Sequence, residues 1–98
     1  MNIKTQKYTI DFKDVKGIYD MFEIISTAMN FPDYFGNNWD AFWDLLWSEC
    51  DADKVIIKGA ASLHDDLKKE MPIMHEILER NSAFRKENNL NEFSFEVI

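Results

Sequence analysis

The sequence predicts an α/β domain in which a three-stranded parallel sheet packs with about four helices. Three observations carry that prediction. Tyr8, Ile10 and Phe12, and again Phe93, Phe95 and Val97, alternate with polar residues, the period of a strand with one buried face. Val55, Ile56 and Ile57 form an unbroken apolar run between two lysines, which reads as a strand covered on both faces. Between these strands apolar residues recur at steps of three and four, so a helical crossover joins each strand to the next, as parallel pairing requires.

The first strand covers residues 8–12. Asp14 stands where a helix cap is needed. Val15, Ile18, Phe22, Ile25 and Met29 then line one face of an amphipathic helix over residues 15–30, with Gly17 weakening its first turn. Pro32 and Gly36 bracket a loop over residues 31–37. A second helix starts near Asn37 or Asn38 and reaches about Glu49, and a polar break over residues 50–53 precedes the second strand. Gly59 opens a helical region in which Leu63 and Leu67 share the face of a short helix. Pro72 restricts the residue before it, placing a break near Glu70 or Met71. A longer helix follows to about Asn88, with Met74, Ile77, Leu78 and Phe84 inward and Met71 and Met74 as core fillers. Asn88 and Asn89 suit a helix end, and residues 93–97 close the sheet. No repeat, low-complexity stretch or linker intervenes, so all 98 residues read as one domain. A domain of this size buries roughly two-thirds of the surface of its unfolded chain.

Hydrophobic residues make up 46% of the chain, too many for a disordered tail. Eleven Lys and Arg stand against eighteen Asp and Glu, a formal charge of −7. That balance argues against nucleic acid as the direct partner, because neutralising phosphates takes clustered Lys and Arg; it suits a basic partner. The single Cys50 excludes a disulfide framework and a four-cysteine zinc site. With no secretory signal at the start, the expected location is the reducing cytoplasm. No segment approaches the roughly 20 apolar residues of a membrane helix.

Residues 31–47 read FPDYFGNNWDAFWDLLW and hold seven of the fourteen aromatics, including every tryptophan. On a helix Trp39, Trp43 and Trp47 share a face, and Asp40 and Asp44 form the next stripe round. Aromatics at this spacing are usually core, as expected of Phe42 and Trp43. An acid in a first turn is favoured by the helix dipole, which alone accounts for Asp40, and Asp44 taken singly reads as a solvated side chain.

The combination is more specific. Residues 31–44 run, without a gap, through an apolar residue, Pro32, an acid, two aromatics, Gly36, a polar residue, Asn38, an apolar residue, Asp40, Ala41, an apolar residue, Trp43 and Asp44. This resembles the signature of the barstar family, intracellular inhibitors of secreted bacterial ribonucleases, and the order of elements agrees with that family along the whole chain. The resemblance implies a barstar-like fold and a loop and helix that plug the active site of a ribonuclease. It implies that Asp44 enters where a substrate phosphate would bind and that Asp40 meets the same basic rim. Tyr34 would lie against a catalytic histidine, Gly36 would let the backbone approach closely, Asn38 would hydrogen-bond the enzyme, and Trp43 would pack beside the helix. The chain departs from the pattern at Trp47 and Glu49, where the family's type member has a small hydroxyl residue and an aromatic. The bulk of Trp47 would enlarge the apolar contact or clash with the usual enzyme. A glutamate that the family supplies from its last helix falls near Lys86 or Glu87.

The remaining polar residues point to no catalysis. His64 and His75 lack metal-ligand spacing, and His64 with Asp65 and Asp66 reads as a solvated helix start. Cys50 lies among acids, which disfavours a thiolate. Asp40 and Asp44 have no positioned partner for acid–base work. The run over residues 65–70 reads as a solvated face. The expectation is a monomeric, cytoplasmic inhibitor without cofactor or metal, which binds a basic barnase-like ribonuclease one-to-one through Tyr34, Gly36, Asn38, Asp40, Trp43, Asp44 and Trp47. Two other readings stay open: an immunity protein of the same fold against a different toxin, such as a DNase, and an acidic interaction module that inhibits nothing.

Overall fold

The computed structural model describes residues 6–48, 50 and 52–98. Three strands, β1 (Lys7–Asp11), β2 (Lys54–Lys58) and β3 (Ser94–Val97), pair in the order β1-β2-β3, and both pairs are parallel. Tyr8 faces Val55 and Val55 faces Phe95 across the sheet. The first crossover holds α1 (Ile18–Ala28) and α2 (Trp39–Ser48). The second holds a 3-10 turn (Ala60–Ser62), α3 (Asp65–Lys68) and α4 (Met71–Glu87). The single turn of α3 runs almost directly into α4, so the expected four helices amount to about three helical bodies.

Right-handed crossovers that step the same way across a sheet place their helices on one face. Burial follows that rule except at the end of β3, where Val97, expected on the buried face, is exposed. Ile10, Val55 and Ile57 are buried and Tyr8 and Phe95 half-buried, whereas Lys7, Thr9, Asp11, Lys58, Ser94 and Glu96 are exposed. The expectation that β2 is covered on both faces is therefore corrected. Ile56 is only partly buried on the other side, where Lys54 pairs with Glu96 at 3.3 Å. The helical face packs on one core that includes Met21, Ile25, Phe42, Leu46, Met74 and Leu78, with Met71 and Met74 buried as expected.

Local chemistry sets the helix ends. Asp14 does not cap α1; it adopts a left-handed turn (φ 66°), and the helix begins three residues later than expected, behind Gly17. Asp20 reaches back from the first turn and accepts the Lys16 N–H at 2.9 Å. At the other end Asn30 takes φ 55° and the Phe31 N–H donates to the Ser26 carbonyl at 2.9 Å. This closing turn satisfies orphan carbonyls, and asparagine tolerates the left-handed conformation better than most residues. The same device ends α4, with Asn89 at φ 54° and the Leu90 N–H on the Arg85 carbonyl at 2.8 Å. Behind β2, Gly59 takes φ 78°, and a Cβ there would sit 3.1 Å from the Lys13 nitrogen. Arg85 ties α4 to the entrance of β2, pairing with Asp53 at 3.4 Å in a largely buried position while its guanidinium lies 5.5 Å from the Phe93 ring centroid.

One buried polar group stands out. Asn81 on α4 is 0% exposed, and among the described residues neither its Oδ1 nor its Nδ2 finds a hydrogen-bond partner. Leaving a buried amide unpaired costs about 1–3 kcal/mol. Asn81→Leu is expected to stabilise the fold by about 1 kcal/mol or more, seen as a higher urea midpoint with an unchanged slope. Among the described residues no helix is long and apolar enough to cross a membrane.

Candidate functional site

The closing turn of α1 feeds Phe31 directly into a cluster of rings. Phe31 lies 5.1 Å from Phe35 and 6.0 Å from Phe42; Phe22 of α1 lies 6.1 Å from Phe35 and 4.8 Å from Trp39; Trp39 lies 5.6 Å from Phe42. Edge-to-face and tilted pairs at these distances add about 0.5–1.5 kcal/mol each beyond area burial. The loop is thus pinned at both ends by rings turned inward, and the residues between them are pushed outward. Tyr34 is 69% exposed, and Asp33, Gly36, Asn37 and Asn38 are exposed beside it.

Asn38 caps α2 as the expected helix start requires. Its Oδ1 accepts the Ala41 N–H at 2.8 Å and its Nδ2 donates to the Gly36 carbonyl at 3.1 Å. Both ends of the amide are engaged within the loop, so Asn38 sets the shape of residues 36–38 while remaining at the surface. Asn37 before it takes φ 52°. Space rather than an unusual φ favours Gly36: a Cβ there would stand 3.2 Å from Asn38 Nδ2, close enough to press on the side chain that caps α2. Asn38→Ala is expected to cost about 1 kcal/mol of stability through the lost cap, measurable by urea melting, and to loosen the loop conformation together with the helix start.

The three tryptophans share a helical stripe but not an environment. Trp39 is half-buried at the junction of α1 and α4, where its Nε1 donates to Glu70 Oε1 at 3.2 Å. Trp43 is half-buried against α4, 6.4 Å from the Phe84 ring and 5.3 Å from the Arg80 guanidinium. Trp47 leans on the same Phe84 ring at 5.7 Å yet stays 46% exposed. Phe42, Leu45 and Leu46 turn into the core, and Asp40 and Asp44 turn out to solvent. Residues 31–48 contain three aspartates and no Lys or Arg, so nothing within the segment neutralises its acidic edge.

Sequence reasoning missed Glu70, Arg80 and Phe84 at this surface. Glu70 stands in a run whose composition suits a solvated face, and the helical period marks Phe84 as inward without revealing its partners. Only the crossing of α2 over α4 brings them together, so no local pattern marks them. The other flagged residues lie elsewhere. His64 stands exposed at the start of α3, and Glu49 lies outside the described residues. Among the described residues no group of three or more His, Cys, Asp or Glu gathers as metal ligands would.

A segment of 41 residues, 42% of this chain, is 39% identical to the Bacillus subtilis (strain 168) protein named "Putative ribonuclease inhibitor YrdF". The match spans 45% of that protein's length. Residues 5–97 match the family described as Barstar (barnase inhibitor). With that match over nearly the whole chain and three parallel strands backed by helices on one face, the chain belongs to the barstar family.

Proposed function

We propose that this protein is a stoichiometric inhibitor that binds a basic, barnase-type ribonuclease one-to-one and occludes its active site with residues 34–44. The observation that carries the reading is the acidic edge of the loop and α2, with Asp33, Asp40 and Asp44 exposed on a scaffold held by buried rings. Asp44 acts as a phosphate mimic, since a carboxylate can be gripped by arginine through two parallel hydrogen bonds. Asp40 meets the same basic rim. Tyr34 and Trp47 supply exposed aromatic contact, and Trp43 forms the wall between the acidic stripe and α4. Gly36 and Asn38 keep the loop backbone in a shape that lets it approach the enzyme. No chemical step belongs to the inhibitor itself; it works by exclusion and charge.

An acidic inhibitor facing a basic cleft associates fast, at a rate that falls as salt rises. Its place of action in this reading is the cytoplasm, where it silences the enzyme before secretion, and the free protein is a monomer. Titration into a barnase-type ribonuclease assay tests the reading. The expected result is loss of activity that ends at one equivalent. No inhibition at micromolar concentration would redirect the target to another toxin, a reading favoured by the bulk of the half-exposed Trp47. A complex that leaves the enzyme fully active would make the protein an interaction module.

A further inference from the structure

Arg80 is the cation nearest the proposed binding surface that the ring geometry identifies. It stands on α4 with its guanidinium carbon 5.3 Å from the centroid of the Trp43 ring. Among the described residues its one ion pair is with Glu76 of the same helix, at 3.7 Å, and its side chain is half exposed. Trp43 lies next to Asp44 in sequence and one helical turn from Asp40, so Arg80 stands over the ring that adjoins the acidic stripe, and among the described residues it pairs with neither carboxylate. The acidic stripe draws basic partners in, and a fixed cation at its margin opposes any partner that is basic there as well. Specificity of this kind comes from a repulsive element placed beside attractive ones.

We infer that Arg80 is a specificity-determining residue of the inhibitory surface. It disfavours ribonucleases whose positive charge continues past the Trp43 wall and selects one that presents a carboxylate or a neutral acceptor at that point. This inference rests on the inhibitory reading. Glu76 pairs with Arg80 along the helix at 3.7 Å, and the cation–π contact favours the guanidinium's place over the indole.

The test compares the wild-type protein with Arg80→Gln and Arg80→Glu against a barnase-type ribonuclease whose rim is basic, with no carboxylate, where it would meet Trp43, at low and high salt. Arg80→Gln keeps a side chain over Trp43 and removes only the charge. Circular dichroism and Trp fluorescence check that each variant keeps its fold. The expected result is tighter inhibition, about threefold for Arg80→Gln and about tenfold for Arg80→Glu, with the gain carried by faster association and shrinking as salt rises. Inhibition by the variants where the wild-type protein gives none would support the inference most strongly. Equal inhibition by all three proteins, or weaker inhibition by the variants, would overturn the inference and leave the inhibitory reading standing. Absence of inhibition by all three would overturn that reading, and the inference with it.

Discussion

Asp44→Ala is expected to weaken inhibition of a barnase-type ribonuclease by about 2–5 kcal/mol, from about thirtyfold to several thousandfold. The size follows from what the substitution leaves behind. In the complex Asp44 would be desolvated among cationic groups gathered to bind phosphate, and removing the carboxylate leaves those cations buried and unpaired. In the free protein Asp44 is exposed on the outer stripe of α2, so its loss should change stability by no more than about 0.5 kcal/mol. Asp66→Ala provides the control, because Asp66 is exposed on α3, outside the loop and α2 that carry the proposed contacts. Its expected effect on inhibition is less than about twofold. Comparable losses for the two variants would remove Asp44 from the binding centre. Association of the Asp44 variant should also be less sensitive to salt, since one attractive charge is gone.

Phe42→Ala is expected to be the most damaging single change to the fold near the site. Phe42 is 0% exposed, with its ring 6.0 Å from Phe31 and 5.6 Å from Trp39. Truncating a buried phenylalanine costs about 3–5 kcal/mol, a large part of the 5–15 kcal/mol that holds a typical domain together. The melting temperature should fall by about 15 °C or more, and inhibition at ordinary temperature should fall with the folded fraction. Trp47→Ala makes the contrast. Trp47 lies on the same helix but is half exposed and supported on one side by Phe84. Its removal should cost about 1 kcal/mol or less in a melt while still lowering inhibition. If both variants melt alike, the separation of inward and outward rings along α2 is wrong.

That separation is the part of the site least legible in the sequence. The signature over residues 31–44 marked the loop, the start of α2 and the outward aspartates, because each depends on local rules of turns, caps and helical period. The fate of the tryptophans does not. A spacing of four puts Trp39, Trp43 and Trp47 on one stripe, but where α1 and α4 cross that stripe decides which ring is packed. Glu70 and Arg80 were equally hidden, being tied to the segment only by contacts across α4. In the sheet, alternation placed β1 and β3 well. At β2 three consecutive apolar residues suggested two covered faces, whereas the order β1-β2-β3 keeps the helices to one. Topology, a property of the whole chain, overruled a pattern three residues long. The start of α1 shifted for a smaller reason: Asp14 bends the chain into a left-handed turn before the helix can begin.

The sheet order also bears on how the molecule is made. Lys7 pairs with Lys54, and Lys54 with Ser94, so each strand waits roughly forty to fifty residues for its neighbour. Closing such distances is entropically unfavourable before any contact rewards it, and folding slows accordingly. The helices, whose bonds are local, can form while a nascent chain is still emerging, but β1 stays unpaired until β2 follows, and β2 keeps an open edge until β3 arrives. The loop and α2 proposed to inhibit lie inside the first of these spans. Their rings can cluster early, yet their rigid placement depends on α4 and on strands synthesised much later, so in the proposed role inhibition would begin only when synthesis has passed β3.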